Sequence, residues 1–190
     1  MEWLDIVDEN GIPTGEIVER TKAHAEGIRH RTAHVWLMRD RGKGMEVLLQ
    51  KRSADKDSFP GCYDISSAGH IPAGVDYLPS AIRELKEELG LDAKEEDFHF
   101  CGRRSLYWED IFYGKKFADN QVTNVYYLWK DVEPEQLTLQ ESEVESVKWM
   151  NLEACKAGVE KRTFPTCISL EELYMLPIKH MEDRNENTNV

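Results

Sequence analysis

The sequence predicts a mixed fold of the α/β (α+β) class: a mixed β-sheet with helices packed on it and a β-hairpin at the N-terminus. Three observations carry this. Apolar, β-branched-rich runs recur along the chain, two pairs of them are joined by short turn-rich links, and strand-like and helix-like stretches interleave without a regular βαβ alternation.

The elements follow in order. "WLDIVDENGIPTGEIVER" reads as two short strands about an Asn-Gly turn, a hairpin over residues 2–19. A polar stretch holding His24 and His30 comes next. "AHVWLMRD" and "MEVLLQKR", separated by "RGKG", form a second hairpin. Residues 61–71, with "CYDISSAGHI", suggest another extended segment, ending in a loop with Gly69 and Gly74. From Leu78 the period changes: Leu78, Ala81, Ile82, Leu85 and Leu89 recur at helical spacing, and Gly90 is a stop signal. Beyond it "FHFCGRRSLYW", "VTNVYYLWK" and "VESVKWM" read as strands, and "NLEACKAGVEK" and "ISLEELYML" as helices.

At 190 residues the chain has the length of one ordinary domain, expected over 1–176 and followed by a polar tail over 177–190. It carries 24 Lys and Arg against 36 Asp and Glu, a net charge of −12, which argues against nucleic acid as a partner. Its four cysteines, Cys62, Cys101, Cys155 and Cys167, make no Cys-x-x-Cys pair and read as reduced thiols. The acidic N-terminus lacks a secretory leader, and no run of about 18 apolar residues occurs, so a cytoplasmic protein without a membrane partner is expected.

One cluster carries chemistry. Arg83, Glu84, Glu87 and Glu88 fall within six positions on the predicted helix. At about 100° per residue, Glu84 and Glu88 lie about 40° apart and Glu87 about 60° to the other side, so all three project from one stripe beside the apolar face. Like charges so placed repel, which means a solvated face or a shared cation. Three hard oxygen ligands at the edge of a core suit Mg²⁺ or Mn²⁺.

The spacing from Gly69 to Leu91, with Arg83-Glu84-Leu85-x-Glu87-Glu88-x-Gly90-Leu91, resembles the box of the Nudix hydrolases, matching all but one fixed position. The resemblance implies a Nudix-like α/β/α sandwich, a box at 69–91, and hydrolysis of an organic diphosphate, a small-molecule substrate, to a monophosphate with Mg²⁺ or Mn²⁺. It implies Glu87 and Glu88 as metal ligands, Glu84 as ligand or base, the Ala68 carbonyl as a further ligand, and Arg83 as the group that fixes a glutamate. A later acidic residue often serves as base in the family; Glu143 is the choice here, with Glu145 and Glu141 as alternatives. A homodimer is the common assembly of such enzymes.

The mismatch is Val75, where the box has a glutamate that supports the loop; Asp76 either compensates or caps the helix. Further segments resemble the branch containing type 1 isopentenyl-diphosphate isomerase. Arg20, Arg52 and Lys56 match its diphosphate-holding cations, and His24, His30 and His70 echo its metal-binding histidines. The isomerase's catalytic cysteine is replaced by Ala68 and its glutamate pair by Asp119 and Gln121, so the residues favour hydrolysis over isomerisation. A non-catalytic ligand-sensing module is the third alternative. Trp36, Trp108, Tyr126, Tyr127 and Trp129 are expected in the core or on a pocket wall.

Overall fold

The structure, a computed structural model, describes residues 2–178. The tail expected from residue 177 therefore lies, from 179 onward, outside the described residues.

The N-terminal hairpin pairs β1 (Trp3–Val7) with β2 (Pro13–Glu19). Asp8 closes its turn, its Oδ1 accepting the N–H of Asn10 at 2.8 Å and of Ile12 at 2.9 Å. The polar stretch that follows holds an element its pattern does not announce. This is α1 (Arg20–Glu26), capped by the Glu19 side chain on the Lys22 N–H and stopped by Gly27 at φ 68°.

The main sheet is built on β3 (His30–Asp40), β4 (Met45–Arg52), β5 (Tyr63–Asp64), β6 (Ser67–His70), β7 (His99–Phe112), β8 (Lys115–Trp129) and β9 (Val144–Asn151). β3 runs parallel to β8, while its pairs with β4 and β6 and the β7–β8 pair are antiparallel, so the sheet is mixed as expected. On one edge β3 pairs first with β6, at Thr32 to Val35, and then with β4, at Met38 to Asp40. The two partners diverge there. Ser66 bridges the gap, its hydroxyl donating to the Leu48 carbonyl at 2.6 Å and accepting the Leu37 N–H at 2.8 Å. That is why the single extended segment expected at 61–71 is two short strands.

β7 and β8 are longer than the sequence pattern indicates. They meet at Tyr113 and Gly114, both in the left-handed region with φ 52° and 74°, as a tight two-residue hairpin turn requires.

Strand alternation distributes the core. Ala33, Val35 and Leu37 face α2 (Tyr77–Leu89), which buries Ala81, Leu85 and Leu89. Trp36 and Met38 face the other way, toward α3 (Leu152–Glu160) and α4 (Leu170–Met175), burying Leu152, Cys155 and Leu173. Helices thus cover both sides of the sheet. Each fully buried leucine contributes about 1.5–3 kcal/mol. Cys155 is buried, the other three cysteines are partly buried, and all four are free thiols. Trp36, Tyr126 and Tyr127 lie in the core, Trp129 packs against it, and Trp108 lines a cleft.

Candidate active site

The site forms where β4 and β6 diverge and α2 crosses the gap. Asp76 starts α2, its Oδ1 accepting the Tyr77 N–H at 2.7 Å, and Gly90 ends it at φ 69°. Between these ends the helix aims Glu84 and Glu88 at β6. Glu88 is 4% exposed, and its Oε2 accepts the Ala68 N–H at 3.2 Å and the Gln50 Nε2 at 3.4 Å. Glu84 packs directly on Gly69: a Cβ at that glycine would stand 2.1 Å from the Glu84 Cδ. Glycine is therefore required there for close approach.

Burial pushes the Glu84 carboxyl up to about 7, against the pull of Arg83, and the Glu88 carboxyl to about 8, with the charge of Glu84 adding to the effect. Two carboxylates held this way want a positive countercharge. Glu87 stands half-exposed at the mouth, and Arg83 Nη2 donates to Glu84 Oε1 at 2.5 Å. The all-oxygen donor set of Glu84, Glu87 and Glu88 fits a hard divalent cation.

The expected cations surround the cleft, each already paired. Arg20 meets Glu2 at 3.1 Å. Arg52 meets Asp64 at 2.9 Å and spends Nε and Nη2 on the Ser58 carbonyl. Lys56 pairs with Glu143, which lines the cleft near Glu84. Of the alternatives to Glu143, Glu145 is drawn away to Lys51 at 2.6 Å, and Glu141 does not line the cleft.

His24, His30 and His70 come together with their ring nitrogens within 4.8 Å of one another. Burial keeps all three imidazoles neutral, that of His24 down to about 3, and neutral imidazole is the metal-binding form. The His30 Nε2 and the Asp119 Oδ1 stand 3.6 Å apart, both buried and without a hydrogen-bond partner among the described residues. This donor set could hold a borderline divalent ion.

Two features escape the sequence pattern. Asp5 of the N-terminal hairpin accepts Arg31 Nη2 at 2.7 Å and the Gly74 N–H at 2.9 Å, and Arg31 Nη2 also donates to the Val75 carbonyl at 2.8 Å. The loop before α2 is thus held from β1, while Val75 packs against the core and Asp76 caps the helix. The second is Glu172 of α4. It is 1% exposed and accepts from His34, Trp36 and Arg104 at 2.9, 2.8 and 2.7 Å. No spacing rule links such distant positions.

The family model of the NUDIX domain matches residues 28–166, which include the glutamate cluster and the diverging strands. The chain belongs to the Nudix family. Nudix hydrolases act on diphosphate bonds. Nudix hydrolase 3 of Arabidopsis thaliana is 40% identical over 166 residues, 84% of this chain and 20% of that protein, so the chain spans a fifth of that relative's length. An uncharacterized Nudix hydrolase of Listeria innocua is 30% identical over 182 residues, 93% of this chain and 95% of that one. Among solved structures, DR0079 of Deinococcus radiodurans shares the fold, with a TM-score of 0.70, 20% identity, and coverage of 91% of this chain and 98% of that chain. The Nudix match begins at residue 28, yet Asp5, Arg20 and His24 reach the site from the hairpin and α1 before it.

Proposed function

We propose that this Nudix chain is a divalent-cation-dependent hydrolase that cleaves the linkage of an organic diphosphate, releasing a monophosphate ester and orthophosphate. The observation that carries the reading is that Glu84, Glu87 and Glu88 all line the cleft bordered by Arg20, Lys56 and Glu143, although their carboxylates stand farther apart than the histidine nitrogens do. A bound Mg²⁺ or Mn²⁺ would neutralise phosphate charge and lower the pKa of attacking water. Glu84, Glu87 and Glu88, with the Ala68 carbonyl, are the residues to hold it. Arg83 steadies Glu84. Arg20, Arg52 and Lys56 bind the phosphate oxygens. A phosphate that draws Lys56 from Glu143 leaves that carboxylate to take the proton of the attacking water. The water oxygen then bonds to phosphorus as the bridging P–O bond breaks.

Isomerisation is disfavoured because Ala68 offers no thiol beside the diphosphate. The box mismatch at Val75 is what favours a sensing module, but the loop there takes its order from Asp5 and Arg31.

The test is turnover of a panel of organic diphosphates with Mg²⁺ or Mn²⁺. Glu88→Gln and Glu87→Gln should each lower kcat by orders of magnitude while circular dichroism stays native. Full activity in both variants would remove the metal-site assignment. Saturable binding without turnover across the panel would favour the sensing module.

A further inference from the structure

The glutamate cleft opens inward into a second part that runs over the sheet, and the basic side chains are spread along both. Arg52 lines the inner part, Arg20 and Lys56 line both, and Arg83 lines the outer part. Glu2 stands at the outer end. It lines that part and not the inner one, and it precedes residues 28–166, so the matched family model does not include it.

The main chain fixes Glu2 from two sides. Its carbonyl accepts the Arg20 N–H at 2.9 Å, and the carbonyl of the next residue, Trp3, accepts the Ala73 N–H at 2.8 Å. Leu4, fully buried, bridges to Pro72. The start of β1 is thus locked to α1 and to the loop before α2. The Glu2 side chain, 30% exposed, meets the Arg20 Nη1 through its Oε2 at 3.1 Å, and its charge reaches Glu84, adding to the upward push on that carboxyl. Among the described residues Glu2 is the one acceptor on the Arg20 guanidinium. It takes Nη1 and leaves Nε and Nη2 for a ligand.

Resting on the diphosphate-hydrolase reading, we propose that Glu2 limits the substrate to two phosphates. With the organic group in the inner part, successive phosphates pass Arg52, then Lys56 and Arg20, and the second ends on the open side of the Arg20 guanidinium that Glu2 orients. A third phosphate would stand beyond Arg20, against the Glu2 carboxylate. Glu87 is at that end too, but on the same reading its charge is met by the cation it holds with Glu84 and Glu88. Glu2 has only Arg20, whose charge the second phosphate already uses. Repulsion from a like charge at that point rejects the longer chain without adding any contact to the shorter one.

The test measures kcat/KM of the full chain, tagged at its C-terminus only, for ADP and ATP at equal free Mg²⁺. ADP should be preferred. Glu2→Gln keeps an acceptor for Arg20 and removes the charge, so it should shrink that preference at least about fivefold by raising the value for ATP. Glu2→Asp keeps the charge and should retain most of the preference. Added KCl should shrink the preference in wild type and have less effect in Glu2→Gln, because repulsion between partly exposed groups is screened. A preference unchanged in Glu2→Gln, lost equally in Glu2→Asp, or insensitive to salt in wild type overturns the proposal, as does a wild type that favours ATP. Should Glu2→Gln fail to fold, the salt series in wild type decides. If neither nucleotide is turned over, the diphosphate panel judges the hydrolase reading separately, and Glu2 is judged by calorimetry with inorganic pyrophosphate and tripolyphosphate in Mg²⁺. Tighter binding of pyrophosphate, with the gap narrowed in Glu2→Gln, supports the proposal; no gap in wild type, or an equal gap in both proteins, overturns it.

Discussion

Gly69 and Glu84 are defined by each other's position, because a methyl group on Gly69 would stand 2.1 Å from the Glu84 Cδ. Gly69→Ala must therefore move the carboxylate out of the site. A fall in kcat of about 100-fold is expected, from misplacement of the order of 1 Å, with weaker Mn²⁺ binding by calorimetry. Unchanged metal binding would mean that Glu84 is not a ligand. Glu172 makes a different kind of pair with His34. Burial alone would lower the His34 pKa, but the facing carboxylate raises it above 6.5, while His34 and Arg104 hold Glu172 down to about 2. The histidine's share of stability is thus full below pH 6.5 and is lost as pH rises through its folded value; the glutamate's is present above 4.5 and lost as pH falls toward 2. Glu84 and Glu88, with raised values, also remove stability as pH rises, so the comparison to make is wild type against His34→Gln. Their difference in melting temperature should be largest near pH 5–6 and shrink at alkaline pH; a difference independent of pH would contradict the ion pair. Glu172→Gln removes the buried countercharge of Arg104, leaving only the exposed Glu171 at 3.7 Å, and should cost about 3–5 kcal/mol in denaturant melts.

The loop before α2 is the element that departs from the family pattern. Where the box glutamate is missing, the loop is held by a contact 69 residues away in sequence, Asp5 to Gly74, together with the buried Asp5–Arg31 pair. Val75→Glu should bring no gain in kcat, and it should lower the melting temperature by forcing a carboxylate among the apolar contacts of Val75. Asp5→Ala should destabilise by about 3 kcal/mol and weaken metal binding. A large rate gain in Val75→Glu would mean that the native loop is impaired. The same element separates what could be read in the sequence from what could not. The helix that carries Glu84, Glu87 and Glu88 was legible because helical periodicity is local, capping by Asp76 was one of the two roles open to it, and the hairpins were legible from their turn residues and the apolar runs beside them. α1 was hidden because it is short and polar, and the β7–β8 tip because Glu109, Asp110, Lys115 and Lys116 interrupt the aromatic face that Trp108, Phe112 and Phe117 form once the strands pair. Asp5 and Glu172 were illegible for another reason: their partners come from distant strands, and only the assembled sheet brings them together.

At the scale of the whole molecule, charge bears on which anions the proposed substrate cleft would take. The chain carries −12, and no described helix is long and apolar enough to cross a membrane, so an anionic substrate meets local cations against an opposing global field. Those cations are not idle. Arg20, Arg52 and Lys56 are held by Glu2, Asp64 and Glu143, so on the proposed reading the clamp is a set of ion pairs that phosphate oxygens would enter as competitors. On that reading two phosphates would share these donors and a metal held by Glu84, Glu87 and Glu88. A third phosphate would add negative charge beside the same carboxylates, with no further Lys or Arg among the described residues lining that end except Arg83, already engaged by Glu84. Diphosphates should therefore be preferred, by about tenfold or more in kcat/KM for ADP over ATP at equal free Mg²⁺, one decade corresponding to about 1.4 kcal/mol. Arg52→Ala would strand the largely buried Asp64, so Lys56→Ala is the cleaner probe, expected to raise KM for the diphosphate. A preference for ATP, or an unchanged KM in Lys56→Ala, would defeat the clamp argument and leave the hydrolase assignment to stand on its glutamates.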